Sequence, residues 1–191
     1  MKRIILASKS YRRQKLLEKI GLSFEIIPSN VENHSQNFSS PEEMVKILSL
    51  DKARAVASKV NDGIVIGADT IVVFNGKILG KPKNEEDAEN MLKRFSNNTH
   101  EVITGIAVID AKNGREMVDC VKTKVTMRRL CDDEIKKYVA SGEPLDKAGA
   151  YGLQDKAGVF VEKVDGCFYN VVGLPLSRLT EMLRDFGVNV L

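Results

Sequence analysis

The run Ser8-Lys9-Ser10-Tyr11-Arg12-Arg13 places two hydroxyls and two guanidiniums where an apolar stretch, Ile4 to Ala7, gives way to the helical spacing of Leu16, Leu17 and Ile20. A strand-to-helix turn with this chemistry suits a polyanion. The spacing predicts Ser10 as the helix N-cap, its oxygen accepting a first-turn N–H, with the positive end of the helix dipole and the arginines converging on one point. An ordinary capped helix with a solvated basic first turn also fits this pattern. Against it stands the placement of cations at a helix N-terminus, which opposes the dipole unless a negative group lies between.

Asp69 falls inside the apolar run Ile64 to Phe74, beside Gly67 and Ala68. A charge there is costly unless it is paired, hydrogen-bonded or metal-bound. It is the leading catalytic candidate: a carboxylate that binds Mg²⁺ or Mn²⁺, or one that orients and deprotonates a water. A purely structural carboxylate at a strand bend is the alternative, and the small neighbours suggest close approach by a ligand. Lys81, in Gly80-Lys81-Pro82, sits in an inter-element loop where functional side chains are common. The segment from Glu143 to Gln154 carries turn formers, the pair Asp146-Lys147 and a terminal amide. Gln154 offers a donor and an acceptor in one plane, matching the O4 and N3–H edge of uracil or thymine, or else it is a surface amide. Asp146-Lys147 can equally be an exposed pair worth little.

The elements that must hold these residues alternate between strand and helix patterns, which gives an α/β or α+β class. Strands are expected at Ile4 to Ala7, at Phe24 to Ile27, and from Ile64 to Phe74 with a break in the middle closed by an Asn75-Gly76 turn. Helices are expected after Ser40-Pro41, after Asn84, after Asp132 and after Pro175. A hairpin is expected from Val102 through Asn113-Gly114 to Met127, and another from Val159 through Asp165-Gly166 to Val172. The helices near Asn84 are expected to form one lobe and the late hairpins another.

With 191 residues and 43% hydrophobic content the chain can bury a substantial core, and one domain over 1–191 is expected. The net charge of +3 comes from 29 basic and 26 acidic residues well mixed, so a broad nucleic-acid or membrane surface is not expected. Lys9, Arg12 and Arg13 interrupt the first apolar stretch, and no window approaches a membrane span, which points to a cytoplasmic protein. Cys120, Cys131 and Cys167 lack disulfide or zinc spacing, and two histidines are too few for a histidine-rich metal site.

Taken in order, Leu6-Ala7-Ser8-x-Ser10-x-Arg12-Arg13-x-x-Leu16-Leu17, Lys52-Ala53-Arg54-Ala55, Gly67-Ala68-Asp69-Thr70, Gly80-Lys81-Pro82, Pro144 to Gln154 and Val172-Gly173-Leu174-Pro175 resemble the Maf family of nucleoside triphosphate pyrophosphatases over almost the whole chain. The resemblance implies a mixed α/β fold like that of inosine triphosphate pyrophosphatases: an elongated mixed sheet with helices in two lobes around a deep cleft. It implies cleavage of a nucleotide to monophosphate and pyrophosphate. A family branch acting on dTTP and UTP has arginine, threonine and glutamine at positions matching Arg12, Thr70 and Gln154. A sister branch acting on 7-methyl-GTP has a glutamate where Gln154 stands. This chain departs from the family pattern at Tyr11, in place of proline, and at Asn33, which follows Glu32 where two acids are usual.

On that resemblance, Asp69 activates water for attack on the α-phosphorus or holds the divalent cation, Mg²⁺ or Mn²⁺, with Glu32 supporting the metal. Arg13, Lys52 and Lys81 neutralise the triphosphate and the departing pyrophosphate, while Ser8 and Ser10 bond phosphate oxygens. Arg12, Thr70, Asp146, Lys147 and Gln154 complete the substrate contacts. The expected partner is the nucleotide, without nucleic acid or membrane, and a homodimer is compatible. The alternatives are a non-enzymatic regulator of cell division, binding nucleic acid or a protein, and a phosphomonoesterase releasing orthophosphate.

Overall fold

The computed structural model describes residues 2–31 and 38–190. Seven strands form one mixed sheet in the order β2-β1-β3-β5-β6-β7, with β4 pairing β3 at its far end. They are β1 (Ile4–Leu6), β2 (Glu25–Ile26), β3 (Ile64–Phe74), β4 (Lys77–Leu79), β5 (Thr99–Asp110), β6 (Glu116–Met127) and β7 (Val161–Asp165). The first three are parallel, pairing Ile5 with Glu25 and with Val65, whereas β3–β4 and β6–β7 are antiparallel. Helices are α1 (Tyr11–Lys19), α2 (Pro41–Ala57), α3 (Glu85–Phe95), α4 (Asp132–Val139), α5 (Phe168–Val172) and α6 (Leu176–Asp185). None of the described helices is long and apolar enough to cross a membrane.

The chain separates into two compact units, one of residues 1–69, 104–121 and 173–191, the other of 70–103 and 122–172. The lobes expected from the sequence are therefore corrected: α3 and the late β7 region share the second unit, and the N-terminal segments share the first with the β5–β6 turn and α6. In the first unit Ile5, Ala7 and Val65 pack with Ala53 and Val56 of α2 and with Ala107 and Ile109 of β5. The core of the second gathers Leu92 and Phe95 of α3, Ile135 and Tyr138 of α4, and Tyr151, Leu153 and Phe160.

Local signals explain most elements. Ser40 Oγ accepts the Glu43 N–H at 3.1 Å ahead of Pro41, and Asn84 Oδ1 accepts that of Asp87 at 2.8 Å, so α2 and α3 start where capping chemistry puts them. Asn75 and Gly76, with φ of 49° and 73°, make the tight turn of the β3–β4 hairpin. Two expectations fail. β3 runs unbroken through Gly67, and the last predicted strand is a short helix, α5. The buried Asn170 side chain donates to Val102 O and to Thr123 Oγ1, both at 2.9 Å, and the Cys167 N–H donates to the same hydroxyl at 3.0 Å. These distant partners override the strand propensity of Phe168-Tyr169-Asn170-Val171-Val172.

Candidate active site

In a strand alternate residues share a face, so Val65, Gly67 and Asp69 of β3 look the same way. On α2, Ser49, Lys52, Ala53 and Val56 fall at helical spacing on one stripe. Gly67 has no side chain because the helix backbone is there: a Cβ would collide with Ser49 O and lie 2.9 Å from Ala53 N. Gly105 of β5 is closed in the same way by Val45 O. The ligand expected beside Gly67 is thus replaced by the protein's own helix. This close approach brings Lys52 onto Asp69, whose Oδ1 accepts from Lys52 Nζ. Asp69 is 8% exposed, so the carboxylate is neither an ornament of the surface nor an unpaired buried charge.

Arg13, from the first turn of α1, points at the same region. Its Nε donates to Gly173 O at 2.8 Å and its Nη1 to Ser8 Oγ at 3.2 Å. Burial lowers its pKa to about 10, partly offset by attraction to Asp69 and reinforced by repulsion from Arg12, so it stays charged at neutral pH. Ser10 sits at the N-cap position but makes no side-chain cap. Instead, Ser8 Oγ accepts the Ser10 N–H at 3.2 Å. The expected capping role of Ser10 is corrected: the organising hydroxyl is Ser8, which the Arg13 guanidinium also engages. The first turn of α1 contains no acidic residue, whereas α2, α3 and α4 all carry acids there. Ser8, Ser10, Arg12, Arg13, Lys52 and Asp69 all belong to the first unit.

Thr70, Lys81, Asp146, Lys147 and Gln154 belong to the second. The segment after α4 turns at Gly142 (φ 73°) into a 3-10 turn over Glu143–Asp146, followed by another at Ala148–Ala150. Lys147 is 7% exposed, and its Nζ donates to Glu143 O and Asp146 Oδ1, both at 2.8 Å, and lies 3.8 Å from Asp155 Oδ2. The reading of Asp146-Lys147 as an exposed pair is corrected for the lysine, while Asp146 stays exposed. A Cβ on Gly149 would lie 3.1 Å from Val72 Cγ2, and the Gly149 N–H donates to Gly80 O at 3.0 Å, tying the Lys81 loop to the Lys147 loop. Lys81 is exposed. Gln154, also exposed, donates from Nε2 to Asp155 Oδ2.

Behind this loop His100 and Tyr151 are buried and share a 2.7 Å hydrogen bond, His100 Nε2 to Tyr151 Oη, with the imidazole stacked on Phe95 at 4.2 Å. Burial pushes the His100 pKa down to about 4 and the Tyr151 pKa up, so both are neutral. No spacing in the sequence marks His100, Asp155 or the role of the Gly173 carbonyl as an acceptor for Arg13. Gly152 was a signal for Asp155, because a Cβ there would lie 2.6 Å from Asp155 Oδ2 and 2.7 Å from Lys147 Cε.

Glu32, expected as a metal ligand, lies outside the described residues. Among those described, no group of three or more His, Cys, Asp or Glu gathers into a metal cage. Magnesium does not require one, since it keeps several waters and takes one or two carboxylates together with substrate phosphates. Asp69, a hard oxygen donor in a nearly buried polar position, fits that mode.

The architecture is that of the Staphylococcus aureus Ham1 protein, which matches with a TM-score of 0.55 at 17% identity, covering 97% of this chain and 100% of that one. The expected mixed α/β fold is thereby borne out. Full-length relatives named dTTP/UTP pyrophosphatase include one from Pelotomaculum thermopropionicum, 48% identical over 191 residues, and one from Clostridium botulinum strain Kyoto, 51% identical over 194, each covering 100% of both chains. The family model described as Maf-like protein matches residues 3–186, and with relatives this similar across their whole length the chain belongs to the Maf family.

Proposed function

We propose that this protein is a nucleoside triphosphate pyrophosphatase that converts UTP and dTTP to the monophosphate and pyrophosphate. The observation that carries the reading is the Lys52–Asp69 pair: one nearly buried carboxylate held by an ammonium, with the Arg13 guanidinium close enough to act on it. Two cations around one acid leave net positive charge for an anionic guest. The relatives' shared name supplies the substrates, and Gln154 with Thr70 supplies matching pyrimidine chemistry.

Asp69 accepts the proton of the attacking water, and its Lys52 contact fixes one carboxylate oxygen while leaving the group anchored in β3. Arg13 stays charged and is aimed by Ser8 and Gly173 O, so it meets developing negative charge on the phosphates without reorganising first. Arg12 and Lys81 add positive charge at exposed or partly exposed positions, and Ser10 adds a hydroxyl. Lys147, clamped by Glu143 O and Asp146, holds the loop from which Gln154 meets the base. A divalent cation, Mg²⁺ or Mn²⁺, held by Asp69 and by Glu32, supplies Lewis-acid stabilisation of the phosphate charge when bound.

The test is a nucleotide panel with Mg²⁺ or Mn²⁺, resolving pyrophosphate from orthophosphate. UTP and dTTP should yield pyrophosphate as the first product, and chelation should stop turnover. Orthophosphate as first product, or undiminished turnover in chelator, would sink the reading.

A further inference from the structure

A primary amide is an ambivalent reader of pyrimidines. Uracil presents an acceptor at O4 beside a donor at N3, and cytosine presents the reverse order, a donor at N4 beside an acceptor. By turning its amide over, a glutamine can satisfy either. What decides between them is whatever fixes the amide's orientation.

In this chain Asp155 is placed to do so. Gln154 Nε2 donates to Asp155 Oδ2, and a carboxylate offers only acceptors, so the reversed amide would set oxygen against oxygen. Asp155 Oδ2 is itself held in place. Lys147 Nζ, on a side chain 9% exposed, lies 3.8 Å from it, and Gly152 leaves open the space next to it, where a Cβ would come within 2.6 Å. The backbone helps too: the Asp155 N–H donates to Gly152 O at 3.1 Å, and Asp155 O accepts from the Gly158 N–H at 3.0 Å.

We infer that Asp155 is a specificity-determining positioning residue: it locks the Gln154 amide in the orientation that accepts uracil and thymine and refuses cytosine. This rests on the reading of Gln154 as the group that meets the base. Asp155 touches no reacting atom, and its effect is expressed only through Gln154.

The experiment compares kcat/KM for UTP and CTP in the wild type, Asp155→Asn, Asp155→Ala and Gln154→Ala. Asparagine meets either face of the amide and alanine meets neither, so both Asp155 variants free Gln154 to turn. The UTP-to-CTP ratio should fall by about tenfold in each, on the scale of one base-edge contact. The fall should come mainly from a gain on CTP, whereas a loop merely loosened would lower both rates together. If both Asp155 variants keep the wild-type ratio while Gln154→Ala loses it, the lock is overturned and Gln154 still reads the base. If Gln154→Ala itself keeps the wild-type ratio, the reading of Gln154 falls and the lock falls with it.

Discussion

At the scale of single residues, the chemistry is concentrated in groups whose surroundings restrict what they can do. Asp69→Asn keeps size and an acceptor for Lys52 but removes both the base and the counter-charge, so turnover should drop by at least ~100-fold in a protein that still folds, with a moderately lowered melting temperature. A lowered melting temperature with near-normal turnover would mark Asp69 as structural. Arg13 differs, because its fork reaches Gly173 O and Ser8 Oγ at once. Lysine cannot make both contacts, and losing a charged hydrogen bond costs ~1.5–3 kcal/mol, so Arg13→Lys should reduce kcat/KM for UTP by roughly tenfold or more. Asp69 was legible in the sequence, since a lone acid in an apolar strand demands a reason. Lys147 was legible as a motif member but not as a buried cation, because no spacing rule announces that its ammonium will be met by Glu143 O, Asp146 and Asp155.

Among the elements, those bounded by capping side chains or tight turns were readable, and those decided by distant contacts were not. Ser40 and Asn84 announce α2 and α3. Nothing local announces that Asn170 will be claimed by Val102 O and Thr123 Oγ1, so an aromatic, β-branched segment becomes helix α5. The unpredicted His100–Tyr151 contact has a pH consequence. Folding holds the His100 pKa near 4, below its ordinary 6.5, so between those values the unfolded chain binds more protons than the folded one. Stability therefore rises with pH across that window and is lost on acidification through it, by an amount on the order of 1–3 kcal/mol. Melting temperatures from pH 7 down to 4 should fall accordingly, and His100→Gln, whose amide can either donate to or accept from the Tyr151 hydroxyl, should flatten that limb. Glu134, held down to about 2 by Arg128, adds its own loss only at lower pH, between about 4.5 and 2.

For the molecule as a whole, the modest net charge of +3 means that nucleotide affinity has to come from the few placed cations rather than from a general field. A non-hydrolysable UTP analogue at about 100 times its Kd should stabilise the fold by ~2.7 kcal/mol, raising the melting temperature by about 5–10 °C. Arg13→Ala should abolish that rise at the same analogue concentration. How the segments share out into two units was not legible, because periodicity says which face of an element is buried but not which other segments bury it. The near-contact of α2 with Gly67 and Gly105 also bears on how far the sequence is free to vary. Relatives differ from this chain at about half of their positions and still span its full length. Such drift is absorbed where side chains can repack, and at these two glycines there is none to repack: backbone faces backbone. The backbone spacing of α2 against β3, which the Lys52–Asp69 pair has to span, is set there with no rotamer to adjust. A saturation scan for activity should find Gly67 and Gly105 as intolerant of alanine as Asp69 is of asparagine, although neither carries a functional group.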